Sequence, residues 1–410
     1  MSDTNPPPKR SKPNAPACPV CCPPSCLCDE RARRLHAEHP LVDGHNDLAW
    51  ACARRLHKAK GPEERAAAAL EHLDFAGDLS GEGFHTDIPR LRKGGVGVQF
   101  WSVYVPVPKS AKYGDVVASE ADAVVQTLEQ VDRVQRLVAK CPKVFELCDS
   151  PEAAREIYGR GKIASVMGAE GGHQIANSLG VLRVLHKLGV VYMTLTHNGG
   201  PAWADSALDA EGNINDEAAH GGLTAFGVSV VNEMNRIGMM VDLSHTHADT
   251  MQKALEASRA PCIFSHSGAR GVCPHPRNVP DDVLPLVKST GSVINCTFVS
   301  AFVSGPIRMN EGGRAVLSEV ADHIVYIKEK IGIQHVGIGG DYDGCTELPD
   351  GLEDVSCYPA LTAELLRRRF SDEDIALVMG GNMLRVWGEA CKVGRKLQLQ
   401  GAMPCIAAIE

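Results

Sequence analysis

Eight short apolar runs recur along the sequence between residues 41 and 341, and segments of helix length separate them. The runs cover residues 41–47, 97–105, 162–171, 190–197, 238–245, 261–267, 291–298 and 335–341. Short apolar runs are typical of buried strands, and strands that alternate with amphipathic helices usually form a parallel sheet. The number of strands is compatible with a closed barrel and with a large open sheet.

Helix signals lie between these runs. Residues 115–139 carry apolar residues three and four positions apart, which is the spacing of an amphipathic helix. Ser150 followed by Pro151 predicts a helix start, because serine caps a first turn and proline favours the first helical position. Ser371 with Asp374 three residues later resembles a capping box. The pattern therefore predicts an α/β protein.

Ionisable side chains end six of the eight apolar runs. They are His45 with Asp47, then Glu170, His197, His245, His266 and Asp341. In an α/β barrel the carboxyl ends of the strands meet at one rim, where catalytic residues lie. Buried charges without partners are costly, so such a convergence needs a compensating cation. These ends favour the closed form, and we predict one TIM-like (β/α)8 barrel over residues 36–410.

The kinds of side chain at these ends indicate a metal site. Imidazole nitrogens and carboxylate oxygens suit zinc, and the absence of cysteine among them argues against a structural thiolate site. His45 and Asp47 are two residues apart on one strand and therefore face the same side. His245 and His266 end adjacent strands, and Glu170 lies between the two pairs, where it could bridge two ions. Such a pair would bind a shared hydroxide and lower its pKa toward neutrality.

Each of these residues also has an ordinary interpretation. An isolated His-x-Asp is more often a capping or surface pair, because aspartate favours turns. A single histidine such as His245 or His266 is more often hydrogen-bonded in a core, and Glu170, which precedes two glycines, could cap a loop. The shared position of all these residues at strand ends favours the metal site.

Composition argues against several classes of protein. The 42 basic and 50 acidic residues give a net charge of −8 without a long basic run, so a nucleic-acid-binding protein is not expected. No stretch of about 20 apolar residues occurs, which argues against a membrane-spanning helix. The first residues lack the apolar segment of a secretory signal, and the last are too polar for a lipid-anchor tail. We therefore expect a cytoplasmic protein.

Five of the fifteen cysteines crowd into the N-terminal segment: Cys18, Cys21, Cys22, Cys26 and Cys28. Disulfide scaffolds are usually short secreted chains, so we expect reduced thiols. Residues 1–35 are rich in proline and lack helical or strand periodicity, which predicts a disordered tail. Metal binding or acylation of the cysteine cluster is the alternative, although CxxC without a second matched pair is a weak signal.

Longer motifs surround the candidate residues: VDGHNDLAW, GAEGGH, TLTHN followed by PAWAD, VDLSH, FSHS, RNVPDDVL and GGDYDG, with GGNMLRVW near the end. Their content and order resemble the renal, or membrane, dipeptidases of the amidohydrolase superfamily. The resemblance runs from about residue 40 to 390. It implies two Zn²⁺ ions per chain, of which His45, Asp47 and Glu170 hold one and Glu170, His245 and His266 hold the other. It also implies a homodimer.

The resemblance assigns three further residues to the substrate. His197 would contact the substrate and polarise the scissile carbonyl, and Arg277 would grip the C-terminal carboxylate with two hydrogen bonds. Asp341 would bind the substrate and carry the proton from the bridging water to the leaving amine. Asn278 and Asp343 would support them. The implied reaction is the hydrolysis of dipeptides with a free C-terminal carboxylate.

This sequence departs from the family at several positions. Secreted members carry disulfides near the active-site loops, whereas the corresponding positions here are Val107 and Gly199, and Cys273 lacks its partner. This difference agrees with a reducing compartment. An aromatic that the family places near the substrate corresponds to Phe298 or Phe302.

Other functions stay open at this point. A related amidohydrolase, either an N-acyl amino acid deacylase or a Cys-Gly dipeptidase acting on glutathione adducts, would use the same metal centre. Arg277 favours substrates with a free carboxylate beside the cleaved bond. A non-catalytic barrel that binds other molecules is the third alternative, and the intact set of strand-end residues argues against it.

Overall fold

The computed structural model describes residues 27–107, 119–305 and 312–409. The strands are β1 (Leu41–Asn46), β2 (Val96–Tyr104), β3 (Phe145–Leu147), β4 (Ile163–Glu170), β5 (Val190–Thr194), β6 (Met240–Asp242), β7 (Ile263–Ser267), β8 (Val293–Cys296) and β9 (Val336–Ile338). Eight of them form a nearly closed parallel barrel in the order β1, β2, β4, β5, β6, β7, β8, β9. The short β3 pairs with β4 outside this path and lies outside all the predicted runs. The predicted barrel is confirmed.

The barrel closes between its first and last strands. Asn46 and Tyr342 form a parallel bridge, and the amide of Asp47 donates to the carbonyl of Tyr342 over 2.8 Å. The amide of Asp341 donates to the carbonyl of His45 over 3.2 Å. Closure therefore brings the polar ends of β1 and β9 together.

The described helices surround the barrel. They are α1 (Leu27–Glu38), α2 (Leu48–Lys58), α3 (Pro62–Ala68), α4 (Ile88–Lys93), α5 (Glu120–Lys140), α6 (Pro151–Gly159), α7 (Leu179–Lys187), α8 (Ala225–Ile237), α9 (Ala248–Ala257), α10 (Leu284–Thr290), α11 (Ser300–Val303), α12 (Leu317–Ile331), α13 (Tyr358–Arg367), α14 (Asp372–Ala376) and α15 (Asn382–Leu399).

Serine caps explain where three of these helices begin. Ser150 accepts a hydrogen bond from the amide of Ala153 at the start of α6, and Ser371 accepts one from the amide of Asp374 at the start of α14. Both predicted starts are confirmed. The helix predicted from residue 115 begins at Glu120 after its cap Ser119, and residues 115–118 lie outside the described residues.

The last helix covers the amino-terminal end of the barrel. Met383 and Trp387 of α15 belong to one buried cluster with residues near the starts of strands, including Val98, Ile263 and Val293. Buried aromatic side chains contribute strongly to such packing. The carboxyl ends of the strands are therefore the rim at which a site can form.

The N-terminal segment corrects one prediction. Residues 27–35 were expected in a disordered tail, but they belong to α1, which buries Cys28 and Leu35. Arg31 pairs with Asp372 at 2.6 Å and fixes the helix to α14. Residues 1–26, with the other four cysteines of the predicted cluster, lie outside the described residues. Among the described helices, none has the length and apolar composition needed to cross a membrane.

Candidate metal centre

The structure brings all seven strand-end residues to one rim of the barrel. Three lie within strands and four within three residues after a strand end: His45, Glu170 and His266, then Asp47, His197, His245 and Asp341. Five of the side chains are buried, whereas His197 and Asp341 are partly exposed. Buried histidines and carboxylates at one point require a specific partner.

Glu170 divides these side chains into two groups. Its Oε2 atom lies 3.4 Å from Nε2 of His45, which in turn is 3.3 Å from Oδ2 of Asp47. Its Oε1 atom lies 3.1 Å from Nε2 of His245 and 3.5 Å from Nε2 of His266. The Nε2 atoms of His245 and His266 are 3.0 Å apart. Each oxygen of one carboxylate therefore faces its own set of atoms that could bind a metal ion.

Tyr192 determines the orientation of the His45 ring. The tyrosine Oη atom lies 2.9 Å from Nδ1 of His45 and donates to the carbonyl of Gly44 over 3.3 Å. Because a hydroxyl has one hydrogen, Oη accepts from Nδ1 of His45. The Nε2 lone pair of His45 therefore faces the carboxylates.

The other two histidines are oriented in the same way. Nδ1 of His245 lies 3.1 Å from Oδ1 of Asn198, an acceptor, so Nδ1 carries the hydrogen. Nδ1 of His266 lies 2.9 Å from Oγ of Ser265, whose own hydrogen goes to Oδ2 of Asp242 over 2.6 Å. Both Nε2 lone pairs therefore face Glu170.

This arrangement fits divalent cations. Nε2 of His45 and Oδ1 of Asp47 are buried and make no hydrogen bond within the described part of the chain. Burial raises the pKa of the Glu170 carboxyl, and it raises the pKa of Asp341 well above its ordinary value. Lone pairs and carboxylates that face one another need positive charge between them, and this donor set suits zinc.

His197 lies at the edge of the centre. Its ring is 4.1 Å from the ring of His245, and its Nε2 atom is 3.8 Å from Oε1 of Glu170. The ring of Tyr104 lies 4.7 Å away on another side. Burial lowers the pKa of His197 well below its ordinary value, so the neutral ring is the relevant form. A neutral, partly exposed imidazole can donate one hydrogen bond to a ligand.

Arg277 places a buried guanidinium beside the centre. Its Nη2 atom donates to the carbonyl of His266 over 3.4 Å, while Nε and Nη1 have no hydrogen-bond partner among the described residues. Burial lowers the pKa of Arg277 to about 10, and the charges of Asp341 and Glu170 act against that shift. The group is therefore cationic at neutral pH, and its unengaged donors suit a carboxylate.

Of the two aromatics that the resemblance left open, Phe302 lies against the guanidinium. Its ring centroid is 5.1 Å from Cζ of Arg277. Phe298 is fully buried and packs edge-on against Tyr342 at 5.6 Å. The geometry therefore associates Phe302, rather than Phe298, with the ligand-binding side of the rim.

Two residues expected to support the site hold its loops. Asn278 donates to the carbonyls of Cys273 and Phe302 over 3.0 and 2.8 Å. Oδ1 of Asp343 accepts from the amide of His85 over 2.8 Å. Neither contact reaches the cluster of ligand atoms directly.

Three of the six non-glycine residues with positive φ in the described part of the chain lie at this rim. His245, Asp341 and Asp343 have φ angles of 65°, 60° and 67°, in the left-handed region that favours glycine. Non-glycine residues in this region cost free energy and occur where surrounding contacts hold them, often at functional sites. The strain is consistent with side chains that are fixed for a chemical role.

Sequence reasoning missed the residues that orient the histidines. These are Tyr192, Asn198, Asp242 and Ser265. It also missed Ser102, which donates to Oε2 of Glu170 over 3.1 Å. Asn198 and Ser265 adjoin predicted histidines in the chain, which is a usable signal. Tyr192 lies inside an apolar run, and its role becomes visible only in the folded barrel.

Val107 and Gly199, which the resemblance relates to a disulfide of secreted members, are close together here. A Cβ atom built on Gly199 would lie 3.3 Å from Cγ1 of Val107. Cys273 is a free thiol whose Sγ lies 3.8 Å from the carbonyl of Ala301. No disulfide joins two cysteines in the part of the chain that the structure describes.

Comparison with known proteins decides the family. The model for the family described as membrane dipeptidase (peptidase family M19) matches residues 29–401. The chain belongs to the membrane dipeptidase family. It is therefore a metallo-dipeptidase, and the metal ions that the family implies agree with the clustered histidines and carboxylates.

Relatives of this membrane dipeptidase extend over nearly its whole length. Dipeptidase verJ from Clonostachys rogersoniana is 41% identical over 372 residues, which cover 90% of this chain and 89% of that protein. The probable dipeptidase PvdM from Pseudomonas aeruginosa shares the fold with a TM-score of 0.74 at 23% identity, covering 89% and 99% of the two chains. A metallopeptidase from Rhodobacter sphaeroides, liganded with a phosphinate mimic of the dipeptide L-Ala-D-Ala, gives 0.71 at 23% identity, with 86% and 99% covered.

Proposed function

We propose that this enzyme is a zinc-dependent dipeptidase that hydrolyses dipeptides with a free C-terminal carboxylate. One arrangement carries the proposal. The buried guanidinium of Arg277 has two nitrogens without a hydrogen-bond partner among the described residues, and it lies beside Glu170, whose two carboxylate oxygens face different histidines. The first group suits a carboxylate, and the second suits a pair of cations.

Five residues would hold the metal. His45, Asp47 and Glu170 would bind one zinc ion, and Glu170, His245 and His266 would bind the other, consistent with the two oxygens of Glu170 facing different histidines. When bound, the two ions supply Lewis acidity and lower the pKa of a water molecule.

The remaining residues would orient the substrate and move the proton. Arg277 would bind the C-terminal carboxylate and so fix the position of the peptide bond. His197 would donate from its ring to the scissile carbonyl oxygen as negative charge develops there. Asp341 would accept the proton of the attacking water at its carboxylate and deliver it to the nitrogen of the leaving amine. The dipeptide mimic bound by the Rhodobacter sphaeroides relative supports this substrate class.

The test is a substrate panel with purified, zinc-loaded protein. Dipeptides, including Cys-Gly and peptides with a D-residue at the C-terminus, are compared with their C-terminal amides and with N-acyl amino acids. We expect hydrolysis that a chelator abolishes, two zinc ions per chain after dialysis, and a strong preference for free carboxylates over amides. Equal rates on acids and amides would remove the role of Arg277, and a preference for N-acyl amino acids would favour the deacylase. Retained metal without any hydrolysis would favour a binding protein.

The homodimer and the cytoplasmic location stay predictions. Light scattering on the purified chain measures the first, and microscopy of the tagged full-length protein measures the second.

A further inference from the structure

Arg270 lies outside the metal centre, yet its side chain binds the chain on both sides of Arg277. Its Nε atom donates to the carbonyl of Asn278 over 3.1 Å, and its Nη2 atom donates to the carbonyl of Pro276 over 2.9 Å. Pro276 and Asn278 flank Arg277 in the chain. The guanidinium of Arg270 therefore spans the short segment that carries Arg277. Hydrogen bonds from charged donors are stronger than those between neutral groups.

The side chain of Arg277 is buried but makes only one hydrogen bond among the described residues. Its single hydrogen bond to the carbonyl of His266 is long, at 3.4 Å, and the ring of Phe302 offers a contact without hydrogen-bond directionality. The surrounding packing limits the rotation of this side chain, and the position of its guanidinium depends on the backbone from which it projects.

That backbone borders empty space on one side. Pro276 lines a cavity of about 140 Å³ together with Arg270, His247 and Asn215. The cavity is partly open to the surface, so fewer protein atoms pack against Pro276 on this side. On this side hydrogen bonds from Arg270, rather than packing, keep the segment in place.

Other contacts hold the ends of the segment independently of the Arg270 side chain. The backbone amide of Arg270 donates to the carbonyl of Val279 over 2.9 Å, and Asn278 donates to the carbonyls of Cys273 and Phe302. Removal of the Arg270 side chain should therefore loosen the segment without unfolding it.

We propose that Arg270 is a positioning residue for carboxylate recognition. The proposal rests on the proposed function, in which Arg277 binds the C-terminal carboxylate of the dipeptide. Without the two hydrogen bonds from Arg270, residues 276–278 can shift toward the cavity. This shift would move the guanidinium of Arg277 away from the position in which it binds the carboxylate. The loss should fall on substrates that Arg277 recognises and should spare those that lack a carboxylate.

The test compares Arg270→Ala, Arg270→Lys, Arg277→Met and the double variant Arg270→Ala/Arg277→Met in the zinc-loaded full chain. KM and kcat are measured for one dipeptide and for its C-terminal amide. We expect Arg270→Ala to raise KM for the dipeptide roughly tenfold, since small misplacements of binding groups have large effects. The kcat for the dipeptide and both parameters for the amide should stay nearly unchanged.

Arg270→Lys keeps the charge but cannot span both carbonyls, so it should retain most of the defect. In the Arg277→Met background, Arg270→Ala should cause no further loss.

Arg385→Ala is the matched control. Its guanidinium also spans two carbonyls, those of Gly291 and Gln334 at 2.8 and 2.7 Å, near the starts of β8 and β9 and away from the rim. It should leave the ratio of dipeptide to amide hydrolysis at the wild-type value.

Several outcomes would overturn the proposal. They are equal losses on dipeptide and amide in Arg270→Ala, full recovery in Arg270→Lys, or additive effects in the double variant. A KM defect in Arg277→Met without one in Arg270→Ala would reject the role of Arg270 alone. An unchanged KM in Arg277→Met would reject carboxylate binding by Arg277, and this proposal with it.

Discussion

The hydroxyl of Ser265 donates to the buried carboxylate of Asp242 over 2.6 Å. The oxygen of the same hydroxyl accepts from Nδ1 of His266, and the hydroxyl of Thr194 donates to the same Oδ2 atom of Asp242 over 2.5 Å. Because the hydrogen of Ser265 is used by the Asp242 carboxylate, the serine oxygen must accept from the ring of His266. The ring therefore carries its hydrogen on Nδ1, and its tautomer is fixed. Groups that orient metal-binding histidines in this way raise the basicity of the ligand nitrogen.

Ser265→Ala should weaken metal binding while the barrel stays folded. Loss of the acceptor frees the His266 ring to rotate and to change its tautomer, so we expect roughly 10–100-fold lower zinc affinity. Competition with a chromogenic chelator measures this change. Ser289→Ala, which removes an exposed hydroxyl from α10, is the control. Zinc retention equal to wild type in Ser265→Ala would show that the serine does not orient the ligand.

Asp341→Asn should separate metal binding from proton transfer. Asp341 is not needed to hold either ion in the proposed centre, but its amide replacement cannot take up the proton of the attacking water. We expect near wild-type zinc content and a kcat lower by about 10²–10⁴-fold. Asp132→Asn, at an exposed ion pair on α5, controls for the loss of an acidic side chain. Dipeptide turnover by Asp341→Asn at the wild-type rate would exclude it as the proton carrier.

Gly168→Ala should disturb the centre from inside the barrel. A Cβ atom at Gly168 would overlap the ring of Tyr192, whose hydroxyl orients His45. Overpacking of this kind costs about 1–3 kcal/mol of folding free energy and displaces the aromatic ring. We expect a lower midpoint of urea unfolding together with weaker zinc binding. Gly159→Ala, where a Cβ atom meets open space, is the matched control. Normal zinc affinity in Gly168→Ala would mean that His45 does not depend on the Tyr192 ring.

The sequence predicted the part of the site that follows from strand endings. An apolar strand that stops on His45, Glu170 or His266 is visible along the chain, and the barrel brings such ends to one rim. Tyr192 gave no such signal, because it lies in an apolar run and meets His45 across 147 positions of sequence. Contacts of this kind depend on closure and register, which single-sequence patterns do not contain.

The N-terminal helix α1 shows that single-sequence patterns also miss parts of the fold. Proline and cysteine dominate the sequence before α1. The short amphipathic segment that follows them was therefore not recognised as a helix. The helix is stabilised by tertiary contacts, since Arg31 reaches Asp372 across 341 positions and Leu35 is buried. Packing of an apolar face decides whether a short helix forms, so composition alone predicted disorder where a helix exists.

His36 links this helix to α13 and should make folding stability depend on pH. Its Nε2 atom lies 2.8 Å from Oγ1 of Thr362, and burial lowers the pKa of His36 to about 4. In the unfolded chain the pKa is about 6.5, so between these values the unfolded state binds the proton more tightly. The contribution of neutral His36 is therefore fully present above about pH 6.5 and is lost as the pH falls toward 4.

His36→Gln should remove this part of the acid sensitivity, because glutamine can bond to Thr362 without taking up a proton. Relative to wild type, the free energy of unfolding of the variant should fall less between pH 7.5 and pH 5, by about 2 kcal/mol. Urea unfolding at the two pH values measures the difference, and effects of acid on the metal centre cancel because both proteins share it. His72→Gln, at an exposed position, should follow the wild-type profile. If His36→Gln loses as much stability on acidification as wild type, burial of His36 is not the source of the dependence.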